Sequence, residues 1–348
     1  MRSPLVLLEN ESQFNLYPFT LNRSVTDLRI GILSIREKWK LLLGINLSLQ
    51  TIDQINEAQQ NILIPANFIP GLFSTTATEE EIKRSDHRIL EQPWELTEFN
   101  DWALRNDFSL LTRGRNSEPI PGHVKTTNPG QIFVEKGAIL ENCFIHAGEG
   151  PVYIAKNAVV MDGAMLRGPV SVGEGSVVKM GAAIYGATTI GPYCTVGGEI
   201  KNSIFLGYSN KAHHGYIGDS VIGEWCNLGA GTSCSNLKNT GGKIKVWDMK
   251  NQKFKTAGNK CGLFMGDFSK SAINTSFNSG TVTGICANIF DGAALTPKFI
   301  PSFSWGAQTG QSYTLEKALI EIETWMKFKN CILQEEKKQI LEKIYKAL

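Results

Sequence analysis

Long apolar runs are missing from this sequence, and so is any clustering of cysteine. The apolar stretches are of the size of LLLGI at 41–45, far too short to span a bilayer. The seven cysteines are odd in number and scattered without a C-x-x-C pair. They read as buried or free thiols in a reducing compartment. A charge excess is missing too. The formal net charge is +2, which gives no reason to expect nucleic acid or a membrane surface as partner. Ahead of Glu9 stand one arginine and a five-residue apolar stretch, a poor signal peptide. The expected location is cytoplasmic. What is present is an ordinary globular composition, 42% hydrophobic over 348 residues, enough for two or three domains.

The middle of the chain repeats. From Ile154 it divides every six residues into IAKNAV, VMDGAM, LRGPVS, VGEGSV, VKMGAA, IYGATT, IGPYCT and VGGEIK. Every block opens on Ile, Val or Leu, and the fifth position is mostly small or β-branched. The phase returns as IGEWCN at 222 and LGAGTS at 228. One aliphatic per six residues is the signature of a parallel β-helix. A β-sandwich, the alternative, would alternate with period two. The pattern resembles the left-handed β-helix of hexapeptide acyltransferases, and that resemblance supplies the handedness, which the usual crossover rule would oppose. It implies three hexads per triangular coil, with Gly, Asn and Asp at corners.

The repeat fades upstream over Ile132–Pro151 and is interrupted at 202–216 and 236–262. It is ragged over 263–292 and gives way to PKFIPSFSWG at 297–306. Excursions from a regular scaffold are where function is expected. Over 314–348 the spacing of Leu315, Leu319, Ile322, Trp325 and Met326, then Ile340, Leu341, Ile344 and Tyr345, predicts helices that cap the solenoid or pack on a neighbouring subunit. Thr314 is the expected N-cap.

The segment 199–237 reads EIKNSIFLGYSNKAHHGYIGDSVIGEWCNLGAGTSCSNL. Its Lys201, His213, Tyr216-Ile217-Gly218-Asp219, Asn227-Leu228-Gly229-Ala230-Gly231-Thr232 and Ser235-Asn236-Leu237 fall in the order and spacing of one known motif set. The segment resembles the acetyltransferase half of the bifunctional UDP-N-acetylglucosamine pyrophosphorylase / glucosamine-1-phosphate N-acetyltransferase family. The reaction explains the residue types. An amine must attack a thioester carbonyl, an ammonium cannot, and an imidazole with a pKa of about 6.5 suits removal of the proton at neutral pH.

The resemblance places the base at His213. His214 is its neighbour, and in a strand the two would face opposite ways, so His213 versus His214 stays open. It implies Lys201 as the phosphate anchor, Tyr216 and Asn227 as sugar ligands, and Asn236 as holder of the amine or acetyl group. Ala230 and Gly231 suit a close pass of backbone to the pantetheine of acetyl-CoA. Asp267 stands where the family has a serine near the coenzyme, and Leu237 stands where it has a tyrosine. Arg167 and Lys179, second in their hexads, border a phosphate or are solvated surface. The coil shape also occurs in zinc-dependent γ-carbonic anhydrases, which need a histidine pair five residues apart. The histidines here are 87, 123, 146, 213 and 214, so that spacing is missing and no metal site is expected.

Glycine is missing where the front of the chain most needs it. The stretch VLLENESQFNLYPFT at 6–20 resembles the opening strand and Gly-x-Gly-Thr-Arg-Leu loop of sugar-nucleotide pyrophosphorylases. Glu11 and Gln13 replace the two glycines, Phe14 the threonine and Asn15 the arginine. Leu16, Pro18, Phe19 and Thr20 keep the frame, and Ser24-Val25 stands where Pro-Lys would be. Glycines let backbone N–H groups wrap a triphosphate while Arg and Lys offset its charge. This loop keeps neither device. Arg23 and Arg29 are candidates to compensate; Lys38 and Lys40 read as helix-surface charge. The front domain is short, ending in a helix within EQPWELTEFNDWALRNDFSLL (91–111).

The expected architecture is therefore a pruned nucleotidyltransferase-like α/β domain (1–118), a left-handed β-helix (119–310) and C-terminal helices (311–348). The resemblance implies an acetyl-CoA-dependent N-acetyltransferase acting on an amino-sugar phosphate, as a homotrimer, with the nucleotidyltransferase domain degenerate. Alternatives are a bifunctional enzyme with an active, Mg²⁺-dependent nucleotidyltransferase domain, and a non-catalytic sugar-nucleotide-binding scaffold.

Overall fold

The aliphatic residue that opens each hexad points into the interior of a three-walled prism. Ile154, Val160, Leu166, Val172, Val178, Ile184, Ile190 and Val196 are each at most 1% exposed and share one buried cluster. The structure, a computed structural model, describes residues 5–44, 48–50, 62–74, 77–290, 295–308 and 310–348. Met1–Pro4, at the head of the apolar N-terminal stretch, lie outside these.

Three parallel sheets run up the coil. Face I begins at Lys125–Thr127 and climbs through Phe144–His146, Met165–Arg167, Ala183–Tyr185, Glu199–Lys201 and Tyr216–Gly218 to Ser276–Phe277. Face II runs from Ile132–Val134 to Phe299–Ile300, and face III from Ile139–Leu140 to Ser304–Trp305, where Gln311–Ser312 adds an antiparallel edge. The chain is an α/β region followed by a left-handed β-helix of about ten turns and two terminal helices.

The coil is longer than its hexads. It already turns over Ile132–Pro151, where corners of unequal length hide the period, and PKFIPSFSWG builds its last faces. Nor is 202–216 an excursion: Ile204–Gly207 lies on face II and Asn210–Lys211 on face III. These turns are short. Ile184 pairs with Ile200 and Val196 with Lys211, so a six-residue frame drawn through Val196 loses the inward positions. The interruption at 236–262 does leave the coil, as the hairpin Ile244–Asp248 with Lys253–Gly258.

The front domain has a parallel three-stranded sheet, with Leu5–Leu8 between Ser48–Gln50 and Ile62–Pro65. Its helix Ile35–Leu43 starts in a capping box between Ser34 and Glu37, and a second helix spans Asn100–Thr112. The domain lies along face II. The outward column there reads Tyr153, Ser171, Thr189, Ile204, Val221, Phe264, Val282, and all are at most 4% exposed. Leu7, Phe19, Leu28 and Trp39 share a cluster with the upper part of this column. Where the column turns polar, Thr189 Oγ1 donates to Gly31 O at 2.8 Å, and Asn100 Nδ2 donates to Ala187 O at 2.6 Å.

The terminal segment forms helices Leu315–Lys327 and Glu335–Lys346. Ala318, Ile322, Met326 and Leu341 pack with Phe268, Ile285 and Phe303 of the coil. Thr314 holds the N-cap position with no side-chain hydrogen bond. Lys38 corrects the surface reading: it is 2% exposed and ion-paired with Asp107, from the helix Asn100–Thr112. Lys40 is exposed.

Candidate active site

The corner between faces III and I carries the two histidines. His213 and His214 are both exposed and lie in a turn between Asn210–Lys211 and Tyr216–Gly218. They are not in a strand, so the argument that they face opposite ways does not apply. One turn below is Gly198, with φ +72°. A Cβ there would stand 2.8 Å from His213 O and 3.0 Å from His214 Cα, so only glycine lets the histidine turn settle. One turn above are Ala230 and Gly231, whose N–H donates to His214 O at 3.1 Å. The expected coenzyme corner thus sits directly on the histidine corner.

Face I continues from that corner. Tyr216 pairs with Glu199, and its N–H donates to Ser233 Oγ at 3.1 Å. A Cβ at Gly218 would collide with the Tyr216 hydroxyl, so the ring lies along the strand over Gly218. Gly218 pairs with Lys201, which brings the Tyr216 phenol toward the lysine. Burial, with Tyr185 and Asp219 adding to it, raises the Tyr216 pKa, so the phenol stays protonated. Lys201 Nζ stands 5.7 Å from the Tyr185 ring centroid, and the Tyr185 hydroxyl donates to Glu199 Oε1 at 2.6 Å. That bond pushes the Tyr185 pKa up to about 12. Arg167 lies in the same column as Tyr185 and Lys201 and pairs with Glu149 at 2.8 Å.

The other expected residues are spread around the coil. Asn236 is 6% exposed, beyond the far end of face I, and its amide donates to Asp219. Asp219 also accepts from Asn202 Nδ2 at 2.6 Å. Asn202 and Asp219 both have positive φ, which short polar side chains tolerate. Asn227 lies on face III, around the histidine corner from Tyr216. Asp267 is farther still, between faces II and III, 1% exposed. Its carboxylate holds Arg23 and Asn22 of the front domain and the Glu224 N–H. The expected coenzyme contact at Asp267 therefore meets a carboxylate already spent on docking. Leu237, in the family's tyrosine position, is 43% exposed. Among the described residues, no group of three or more His, Cys, Asp or Glu side chains is placed to hold a metal ion. No helix among them is long and apolar enough to cross a membrane. Reasoning from the sequence missed Lys211, which lies buried under the histidine turn.

A sugar nucleotidyl transferase family model matches residues 5–71. A bifunctional sugar-1-phosphate nucleotidylyltransferase/acetyltransferase of Sulfurisphaera tokodaii is 31% identical over 223 residues, 60% of this chain and 49% of that protein. The chain resembles the bifunctional sugar nucleotidyltransferase–acetyltransferases. A protein named Bifunctional protein GlmU from Methanocaldococcus jannaschii is 36% identical over 96 residues, 28% of this chain and 22% of its own. Another of that name, from Methanococcus aeolicus, is 40% identical over 86 residues, 25% of this chain and 20% of its own. The chain spans about half the length of the first of these relatives and about a fifth of the other two.

The front loop, which lacks the glycines of a phosphate-wrapping loop, is wound up on itself. Residues Ser12–Asn15 form a helical turn. The Ser12 N–H donates to Asn10 Oδ1 at 2.9 Å, Gln13 N–H to Asn10 O at 3.2 Å and Phe14 N–H to Glu11 O at 3.1 Å. Backbone donors that a glycine loop would offer a phosphate are thus engaged internally. The hairpin 244–258 reaches over this turn, and Lys250 pairs with Glu11 at 2.8 Å. Both candidate arginines are engaged elsewhere. Arg23 is paired with Asp267 and Glu224, and Arg29 binds Ile32 O and lies 3.5 Å from Glu37.

Proposed function

We propose that the chain is an acetyl-CoA-dependent N-acetyltransferase acting on an amino-sugar phosphate, and that its front domain does not transfer nucleotides. The observation that carries this reading is the histidine turn. Two exposed imidazoles precede a strand on which Tyr216 lies toward Lys201. His213 is the base in this reading. It takes a proton from the attacking amine, the nitrogen bonds to the acetyl carbon, and the C–S bond breaks to give the thiolate of CoA, which the imidazolium protonates. Lys201 anchors the sugar phosphate, Tyr216 and Asn227 bind the sugar, and Asn236 holds the amine or acetyl group; because Asn227 and Asn236 lie on other parts of the coil, this reading puts the site between subunits of the trimer. Gly229, Ala230 and Gly231 present almost no side chain above the base, which fits the passage of a pantetheine arm.

The same reading makes the protein a cytoplasmic homotrimer. Face I is the side left bare by the front domain and the terminal helices. Phe144 and Met165 are about half exposed there, beside a groove of about 620 Å³ that also touches His146, Arg167 and Tyr185.

The reaction is tested by thiol release from acetyl-CoA against a panel of amino-sugar phosphates and nucleotide amino sugars. Release with an amino-sugar phosphate is expected; no release with any member overturns the reading. In parallel, UTP or dTTP with Mg²⁺ and a sugar 1-phosphate should give no pyrophosphate. Robust turnover there would mean that the helical turn over Ser12–Asn15 is not disabled.

A further inference from the structure

Lys211 occupies a position that the coil gives to aliphatic residues. On face III, Val178 pairs with Val196 and Val196 with Lys211, and the next turn places Leu228 there. Val178 and Val196 are fully buried, Leu228 is 2% exposed, and Lys211 is fully buried among them. A buried ammonium is costly unless its hydrogen bonds are met. Here they are met completely. The three N–H bonds of an ammonium have three acceptors: Gly197 O at 3.2 Å, His214 O at 3.1 Å, and His213 O. No carboxylate among the described residues pairs with it. An aliphatic side chain would fill the same space at no electrostatic cost, as Leu228 does one turn up. What lysine adds is a grip on the backbone of the histidine turn.

We propose that Lys211 is a positioning residue, which reaches through the wall of the coil to fix the peptide planes of His213 and His214 and so the direction of the base. The proposal rests on the reading that this turn carries the base. His214 O has a second donor, the Gly231 N–H, whereas His213 O has Lys211 as its donor among the described hydrogen bonds. Loss of the lysine therefore frees the His213 peptide first. Gly198 below has no side chain that could hold the turn in place.

The test compares Lys211→Met, Lys211→Leu and Lys211→Arg with the wild-type protein. Leucine is the residue the coil already accepts at the adjacent turn, so it serves if the methionine variant does not fold. The expected result is a folded Met or Leu variant whose kcat for acetyl transfer drops roughly 10- to 100-fold. KM for both substrates should stay within about threefold, and Arg should recover part of the rate. The imidazole NMR signals of His213 and His214 should move in the Met or Leu variant, whether or not the wild-type protein turns over. A kcat within about twofold of wild type overturns the proposal, and so do imidazole signals that stay in place. Moved imidazole signals in a wild-type protein that transfers no acetyl group would leave the positioning role standing and remove the enzyme reading instead.

Discussion

At the scale of single residues, what lies beneath and beside the histidines holds their turn in place. Gly198→Ala would drive a Cβ into His213 O and His214 Cα from a position of φ +72°. It should cost about 1–3 kcal/mol in urea unfolding and lower acetyl transfer more than a surface Gly→Ala change does. Lys211 gives a pH prediction. Burial lowers its pKa from 10.5 to about 8, so between those values the unfolded chain holds the proton that the folded chain has released. Its contribution to stability therefore rises with pH across that window. The melting temperature of the wild type relative to Lys211→Met should climb from about pH 7 to about pH 10; a constant difference would count against the shift. The resemblance drew His213, Lys201 and Tyr216 out of the sequence as candidates, and the structure sets Tyr216 on the strand after the histidine turn with Lys201 on the adjoining strand of face I. Lys211 was hidden for a physical reason. The turns above Val196 are shorter than three hexads, so its inward position falls outside a six-residue frame, and a lysine beside two histidines reads as surface.

At the scale of elements, the telling pieces are the helix Asn100–Thr112 and the front turn. Asp107 on that helix accepts from Lys38 and from the N–H groups of Ile32 at 2.7 Å and Leu33 at 3.1 Å. Asp107→Ala should strand a buried ammonium and two backbone donors, costing about 3–5 kcal/mol in urea unfolding; a loss below about 1 kcal/mol would mean that the pair is not buried in solution. Helix periodicity alone marks Lys38 as polar and says nothing of a partner 69 residues away. The front turn was more readable. Missing glycines predicted a loop unlike a phosphate cradle, although not that the segment would wind into Ser12–Asn15 with Lys250 of a coil hairpin laid against Glu11.

At the scale of the whole molecule, the front domain behaves as a covering for face II. The outward column from Phe133 to Val282 is hidden by it, and Arg23 ties it to Glu224 and Asp267 of the coil. Removing residues 1–118 should therefore expose a long apolar stripe and yield an aggregating coil. A soluble, monodisperse coil by light scattering would show that the two parts are independent. The hexad period foretold the prism itself, because inward positions obey a local rule. It did not foretell the docking, which depends on pairs such as Arg23 and Asp267, 244 residues apart.

The central claim is that His213, on the corner between faces III and I, removes the amine proton. The measurement closest to it is kcat for thiol release from acetyl-CoA with the best amino-sugar phosphate, for the wild type, His213→Ala and His214→Ala. His213→Ala should lose about 100-fold or more and His214→Ala change by only about a few-fold. Full activity in His213→Ala, or a large loss confined to His214→Ala, would contradict it.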